Sequence, residues 1–102
     1  MSTYRMSDGM VVKTENASLT WDEKTRWNGS NHISVATGSQ WDHETLYRSR
    51  KGRYYIEHIS QWQGSEPHAE WISDEEAVRW MITNDCEDIP DELKPLVDDI
   101  ID

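Results

Sequence analysis

Two β-rich runs within residues 41–62 flank Arg50-Lys51-Gly52. A glycine closing a three-residue loop suits a type I turn with a G1 bulge, so the segment predicts a β-hairpin. With Ser49 facing Arg53, the register pairs Arg48 with Tyr54, Leu46 with Ile56 and Glu44 with His58 on one face. The opposite face carries Tyr47 with Tyr55, Thr45 with Glu57 and His43 with Ile59. Neither face is cleanly polar. One is therefore expected to pack on helices, and the other to be partly covered or to serve as a binding surface.

The remaining pattern adds elements on both sides of this hairpin. Asp8-Gly9 between two short β-compatible runs predicts a small hairpin over residues 3–13. In residues 16–27, Leu19, Glu23 and Trp27 recur at four-residue spacing, with Trp21 off that stripe, which predicts a short helix or helical turn. The turn formers Asn28-Gly29-Ser30-Asn31 lead into a predicted strand over 32–37, broken by Gly38-Ser39. After a loop at 63–67, Ala69-Glu70-Trp71-Ile72 reads as a last short strand. Ser73-Asp74-Glu75-Glu76 then opens a helix, with Ser73 as N-cap, Glu76 as its capping-box partner and acids at the positive helix end. Ala77, Val78, Trp80, Met81 and Ile82 give that helix a wide apolar side, and Asn84 stops it. In the tail, Leu93, Leu96, Val97, Ile100 and Ile101 form the stripe of an amphipathic helix that should dock or bind. Pro95 leaves two forms open, a turn at 90–94 before a helix from about Pro95, or one helix from Pro90.

The expected fold class is α+β in a single domain, a small antiparallel sheet around the central hairpin (about 43–60). A capped helix (about 73–84) and a C-terminal amphipathic helix pack on it. A chain of 102 residues holds one core, and a mean hydropathy of −0.89 requires that core to draw heavily on aromatic rings. Six Trp and four Tyr are present and no Phe, so every ring carries a polar N–H or O–H that wants a partner or water. Residues 1–30 contain no basic start followed by an apolar run, no stretch is long enough to span a membrane, and Cys86 is the single cysteine. A cytosolic protein without an internal disulfide is expected.

Charge changes the picture more than composition does. Residues 1–65 carry a net +1, whereas residues 66–102 hold thirteen acids against Arg79 and Lys94, a net −11. An acidic surface repels phosphate backbones and anionic lipid, so direct nucleic-acid or membrane binding by the C-terminal third is disfavoured. A basic protein surface is the expected partner; the alternative is that the acids only solvate the fold.

The segments Leu46-Tyr47-Arg48, Lys51-Gly52-Arg53-Tyr54-Tyr55, Ser60-Gln61-Trp62-Gln63-Gly64-Ser65, Trp71-Ile72-Ser73 and Glu75-Glu76-Ala77 with Trp80 cover more than a third of the chain. Together they resemble an uncharacterised family of small hypothetical proteins of bacteria and their mobile elements. The resemblance implies the same hairpin-then-helix unit and a phage- or plasmid-borne accessory protein. It implies no catalytic residues.

Chemistry-bearing candidates are few. The spacings of His32, His43, His58 and His68 match no zinc pattern, and only Glu44 and His58 are expected as cross-strand neighbours, which is too few for a metal site. Cys86, between Asp85 and Glu87, should have a raised thiol pKa and blunted reactivity. No catalytic, cofactor or metal residues are assigned. Arg48, Arg50, Lys51 and Arg53 beside Tyr47, Tyr54 and Tyr55 combine phosphate contact with base stacking, as single-stranded nucleic-acid sites do. Intramolecular pairing of these bases with the acidic helices is the competing expectation. Trp80 and Trp71 are expected to pack around the capped helix, with Trp62 as a loop anchor. For a protein-binding surface the candidates are Asp74, Glu75, Asp98 and Asp99 with Trp41, Tyr55 and Trp62. The leading expectation is a non-enzymatic acidic protein-binding protein, whose finer form is a nucleic-acid mimic that inhibits a basic host protein, such as an anti-CRISPR. The alternatives are a nucleic-acid-binding accessory module acting through the hairpin tip, and a small enzyme using Glu44 and His58 as an acid–base pair.

Overall fold

The computed structural model describes all residues except 1, 28, 30, 31, 36, 38–40, 61–65 and 101–102, with the backbone alone at His32 and Ile100. Trp62, Ile101, Gly38-Ser39 and parts of the expected 28–31 turn and 32–37 strand thus lie outside the described residues.

The central hairpin forms as the pattern predicts. Strands β6 (Asp42–Arg48) and β7 (Tyr54–Ser60) pair Arg48 with Tyr54, Leu46 with Ile56 and Glu44 with His58. Ser49 N–H donates to the Arg53 carbonyl at 2.6 Å, and Gly52, at φ +93°, takes the left-handed conformation that closes the three-residue loop. The N-terminal hairpin, β1 (Thr3–Arg5) with β2 (Val11–Lys13), is turned by Ser7-Asp8-Gly9, with Gly9 at φ +88°.

Strand β8 (His68–Ile72) extends the sheet beyond β7, and β3 (Leu19–Asp22) extends it beyond β6, giving an antiparallel order β3-β6-β7-β8. The helix expected in residues 16–27 is absent. A 3₁₀ turn at Thr14–Asn16 is followed by β3 and by β4 (Thr25–Trp27), which pairs with β5 (His32–Ser34). The reason is which ring is buried. Leu19 and Trp27 of the supposed helical stripe are 43% and 61% exposed, whereas Trp21, off the stripe, is 6% exposed against Leu46, its cross-strand partner. A strand puts Trp21 in the core, and the four-residue stripe was a coincidence of spacing.

The sheet is covered on both faces by unlike layers. On one, α1 (Asp74–Thr83) packs on Trp21, Leu46, Tyr54 and Ile56 through Ala77, Val78, Trp80 and Met81, joined by Leu93 just ahead of α2 (Lys94–Ile100), whose Leu96 and Val97 lie at the margin. The tail helix thus docks on the sheet. A 3₁₀ turn at Asp91–Leu93 runs straight into it, which seats Pro95 in the first helical turn, where no backbone donor is needed. On the opposite face the N-terminal hairpin lays Tyr4, Met6 and Val12 over Tyr55, with Tyr47, Ala69 and Trp71 alongside.

Trp71 therefore does not pack around the capped helix. Alternation along β8 sends Ile72 to the helical face and Trp71 to the hairpin face, while Trp80 packs with the helices as expected. Helix α1 has the predicted capping box: Ser73 Oγ accepts from the Glu76 amide at 3.1 Å, and Glu76 Oε1 accepts from the Ser73 amide at 3.4 Å. It ends in a Schellman motif, with Cys86 N–H donating to the Met81 carbonyl and Asp85 N–H to that of Ile82. Asp85 takes the left-handed φ of +53° that this requires, and the preceding Asn84 is buried, accepting from the Lys24 amide at 3.0 Å.

Candidate binding surfaces

Register across β6 and β7 brings Glu44 and His58 together, Nδ1 to Oε2 at 3.1 Å. Register across β7 and β8 adds His68, whose ring stacks on His58 at 4.7 Å. Glu70 Oε1 lies 3.0 Å from the other ring nitrogen of His58, and the Trp80 indole donates to Glu44 at 3.2 Å. Both ring nitrogens thus face carboxylates. The hydrogen bond to Glu44 raises the His58 pKa above 6.5 against the lowering effect of burial, with Glu70 adding to the rise. The arrangement stabilises an imidazolium, whereas a general base needs a free nitrogen. Among the described residues, no three His, Cys, Asp or Glu stand together to hold a metal.

The four bases of the hairpin tip do not act as one cluster. Arg48 points to the helical layer, where Nε donates to Glu92 at 2.9 Å and Tyr54 OH donates to the same oxygen at 2.8 Å. Hydrogen bonds from Tyr54 and then Arg48 hold the Glu92 carboxyl below its usual range. Arg53 turns to the opposite face, donating to Asp8 at 2.9 Å with its guanidinium 3.8 Å from the centre of the Trp71 ring. The Asp8 carboxyl is held down to about 2, first by Arg53, then by the Met10 amide and the nearby Trp71 indole. Arg50 and Lys51, at the turn itself, are exposed. Pairing with the acidic helices therefore holds for Arg48.

Of the acidic candidates, Asp74 and Glu75 stand exposed in the first turn of α1, and Asp98 and Asp99 stand exposed on α2. Glu75 pairs with Arg79 at 2.6 Å, Asp91 with Lys94 at 2.8 Å, and Asp85 with Lys24. Trp41 is 40% exposed, but Tyr55 is 1% exposed beneath the N-terminal hairpin and offers no ring to a protein partner. Cys86 is half-buried, and burial, followed by Asp22, Asp85 and Asp88, pushes its thiol up.

Two carboxylates that the sequence did not single out organise the sheet margins. Glu57 is 5% exposed and accepts from Tyr4 OH at 2.5 Å and Tyr47 OH at 3.1 Å, fastening the N-terminal hairpin to β7. Its place opposite Thr45 on an aromatic face was the available signal. Glu23 accepts from Ser34 Oγ and the Glu44 amide and contacts His43 Nδ1, joining β5 to β6. No sequence signal marked it, because the surrounding segment read as a helix. Among the described residues, no helix is long and apolar enough to cross a membrane. Compared with models of known families, with curated proteins and with solved structures, the chain matches none.

Proposed function

We propose that this is a non-enzymatic binding protein that presents its acidic helical layer to a basic protein surface, as a mimic of nucleic acid. The observation that carries this reading is the sorting of charge by layer. The segment with net −11 supplies both helices, and all four of Asp74, Glu75, Asp98 and Asp99 are exposed on them. An anionic face of this kind steers toward cationic grooves and away from nucleic acid. The resemblance to small proteins of bacterial mobile elements suggests an inhibitor of a host defence nuclease or CRISPR effector, acting in the cytosol.

The test compares wild type with D74N/E75Q/D98N/D99N in a pull-down from the bacterial host, read by mass spectrometry at rising salt. A thermal melt confirms that the variant is folded. A basic partner should be held by wild type, released as salt shortens the screening length below its physiological value of about 8 Å, and lost by the variant. If the folded variant holds the partner as tightly, or if only Arg48, Lys51 and Arg53 prove essential, the charge-mimic reading is wrong.

A further inference from the structure

A cleft of about 360 Å³ opens where the N-terminal hairpin meets the tip of the central hairpin, on the sheet face away from the helices. One wall is an unbroken length of chain, residues 10–13, which carries β2; the other is the Arg50-Lys51 turn with Trp71. Met10 and Val11 make the strand wall apolar, and Val11 is 55% exposed. Among the described residues no carboxylate lines the cleft, and its Lys13, Arg50 and Lys51 have no ion-pair partner.

A second observation concerns the backbone of that wall. Thr14 N–H donates to the Ser2 carbonyl at 3.0 Å and Met6 N–H to the Met10 carbonyl at 2.7 Å, so the even-numbered residues form the hydrogen-bonded pairs of the β1–β2 ladder. Thr3–Lys13 and Arg5–Val11 lie between them as non-bonded pairs, whose main-chain groups point away from the partner strand. Strand β2 pairs with β1 and, among the described residues, with no other strand. Val11 and Lys13 therefore each turn an N–H and a C=O outward, along the edge that lines the cleft. An open edge of this kind is a template for another extended chain.

We propose that the outer edge of β2 takes up an extended acidic segment of a partner protein, which adds to the N-terminal hairpin as a third strand. The two sets of groups make separate demands. Donors and acceptors alternating at strand spacing are met by a polypeptide main chain, and cations with no carboxylate beside them are met by its acidic side chains. Val12 is buried against the sheet while Val11 and Lys13 face outward. An apolar residue beside Val12 thus turns into the cleft, and an acid beside Lys13 stays on the cationic side. A second copy of this edge would set Lys13, Arg50 and Lys51 against their own like, which favours an unlike partner. The inference is independent of the acidic helical layer, because no cleft residue belongs to it.

The experiment titrates the full chain with the end-blocked peptide Glu-Val-Glu-Val-Glu, its Lys-for-Glu counterpart, the Glu peptide N-methylated at every amide, and a short single-stranded oligonucleotide. NMR follows the amide shifts and their hydrogen exchange. The Glu peptide should slow exchange at Val11 and Lys13 and bind more tightly than the other three. R50Q/K51Q, at two exposed positions, should weaken it by about tenfold or more, the scale of a lost charge-assisted hydrogen bond. V11P removes an outward donor that the β1 ladder does not use and should weaken it by roughly two- to tenfold, with a thermal melt to confirm folding. If V11P does not fold, the N-methylated peptide decides the same point without touching the protein. No added protection at Val11 and Lys13, or equal binding of the Lys or N-methylated peptide, would overturn the proposal. Tighter binding of the oligonucleotide would assign the tip to nucleic acid, and a dimer of the free protein with Val11 and Lys13 already protected would assign the edge to a second copy; either overturns it.

Discussion

His58 shows how much of a residue's character comes from its register neighbours. Glu44, Glu70 and the stacked His68 are the titratable groups that face it, and the two carboxylates raise its pKa above 6.5. A group whose pKa rises on folding stabilises the fold while it is protonated in both states. That contribution is complete below about 6.5 and is lost as pH climbs through the folded value. Urea unfolding of wild type should therefore show this stabilisation fading above neutrality. H58Q should lose more stability at pH 5.5 than at pH 9, and a loss that does not change with pH would mean the imidazolium is not what the carboxylates hold.

At the scale of elements, the best-written signals were the shortest in range. Ser73→Ala removes the oxygen that accepts from the Glu76 amide and should cost about 1 kcal/mol by thermal or chemical unfolding. The capping box and the Arg50-Lys51-Gly52 loop could be read from a few adjacent residues, and the loop fixed the β6–β7 register along its whole length. That register already separated the tip bases, since Arg48 and Arg53 follow alternate positions to opposite faces, although their partners Glu92 and Asp8 lie 44 and 45 residues away. Strand β3 was misread because its identity depends on Leu46, a distant partner, and not on its own periodicity. The cleft of about 360 Å³ between the N-terminal hairpin and the tip of the central hairpin was hidden for the same reason. Lys13 and Trp71 join the tip only after the N-terminal hairpin docks, and that docking rests on a bond between Tyr4 and Glu57, 53 positions apart.

For the whole molecule, the two sheet faces are held very unequally. Among the described residues, the helical face buries nine in its cluster and the hairpin face four. Tyr4→Phe leaves one oxygen of a buried carboxylate without its donor, a loss of about 1.5–3 kcal/mol for a hydrogen bond to a charged group. Native-state amide exchange should show that cost as faster exchange in β1 and β2, with β6 and β7 keeping their protection; uniform acceleration would mean the layers open together. Because Met10 and Val12 belong to the hairpin and Tyr55 and Trp71 to the sheet, the cleft exists only while the two are joined. The hairpin is thus a latch on the sheet: whatever frees Tyr4 from Glu57 abolishes the cleft in the same movement.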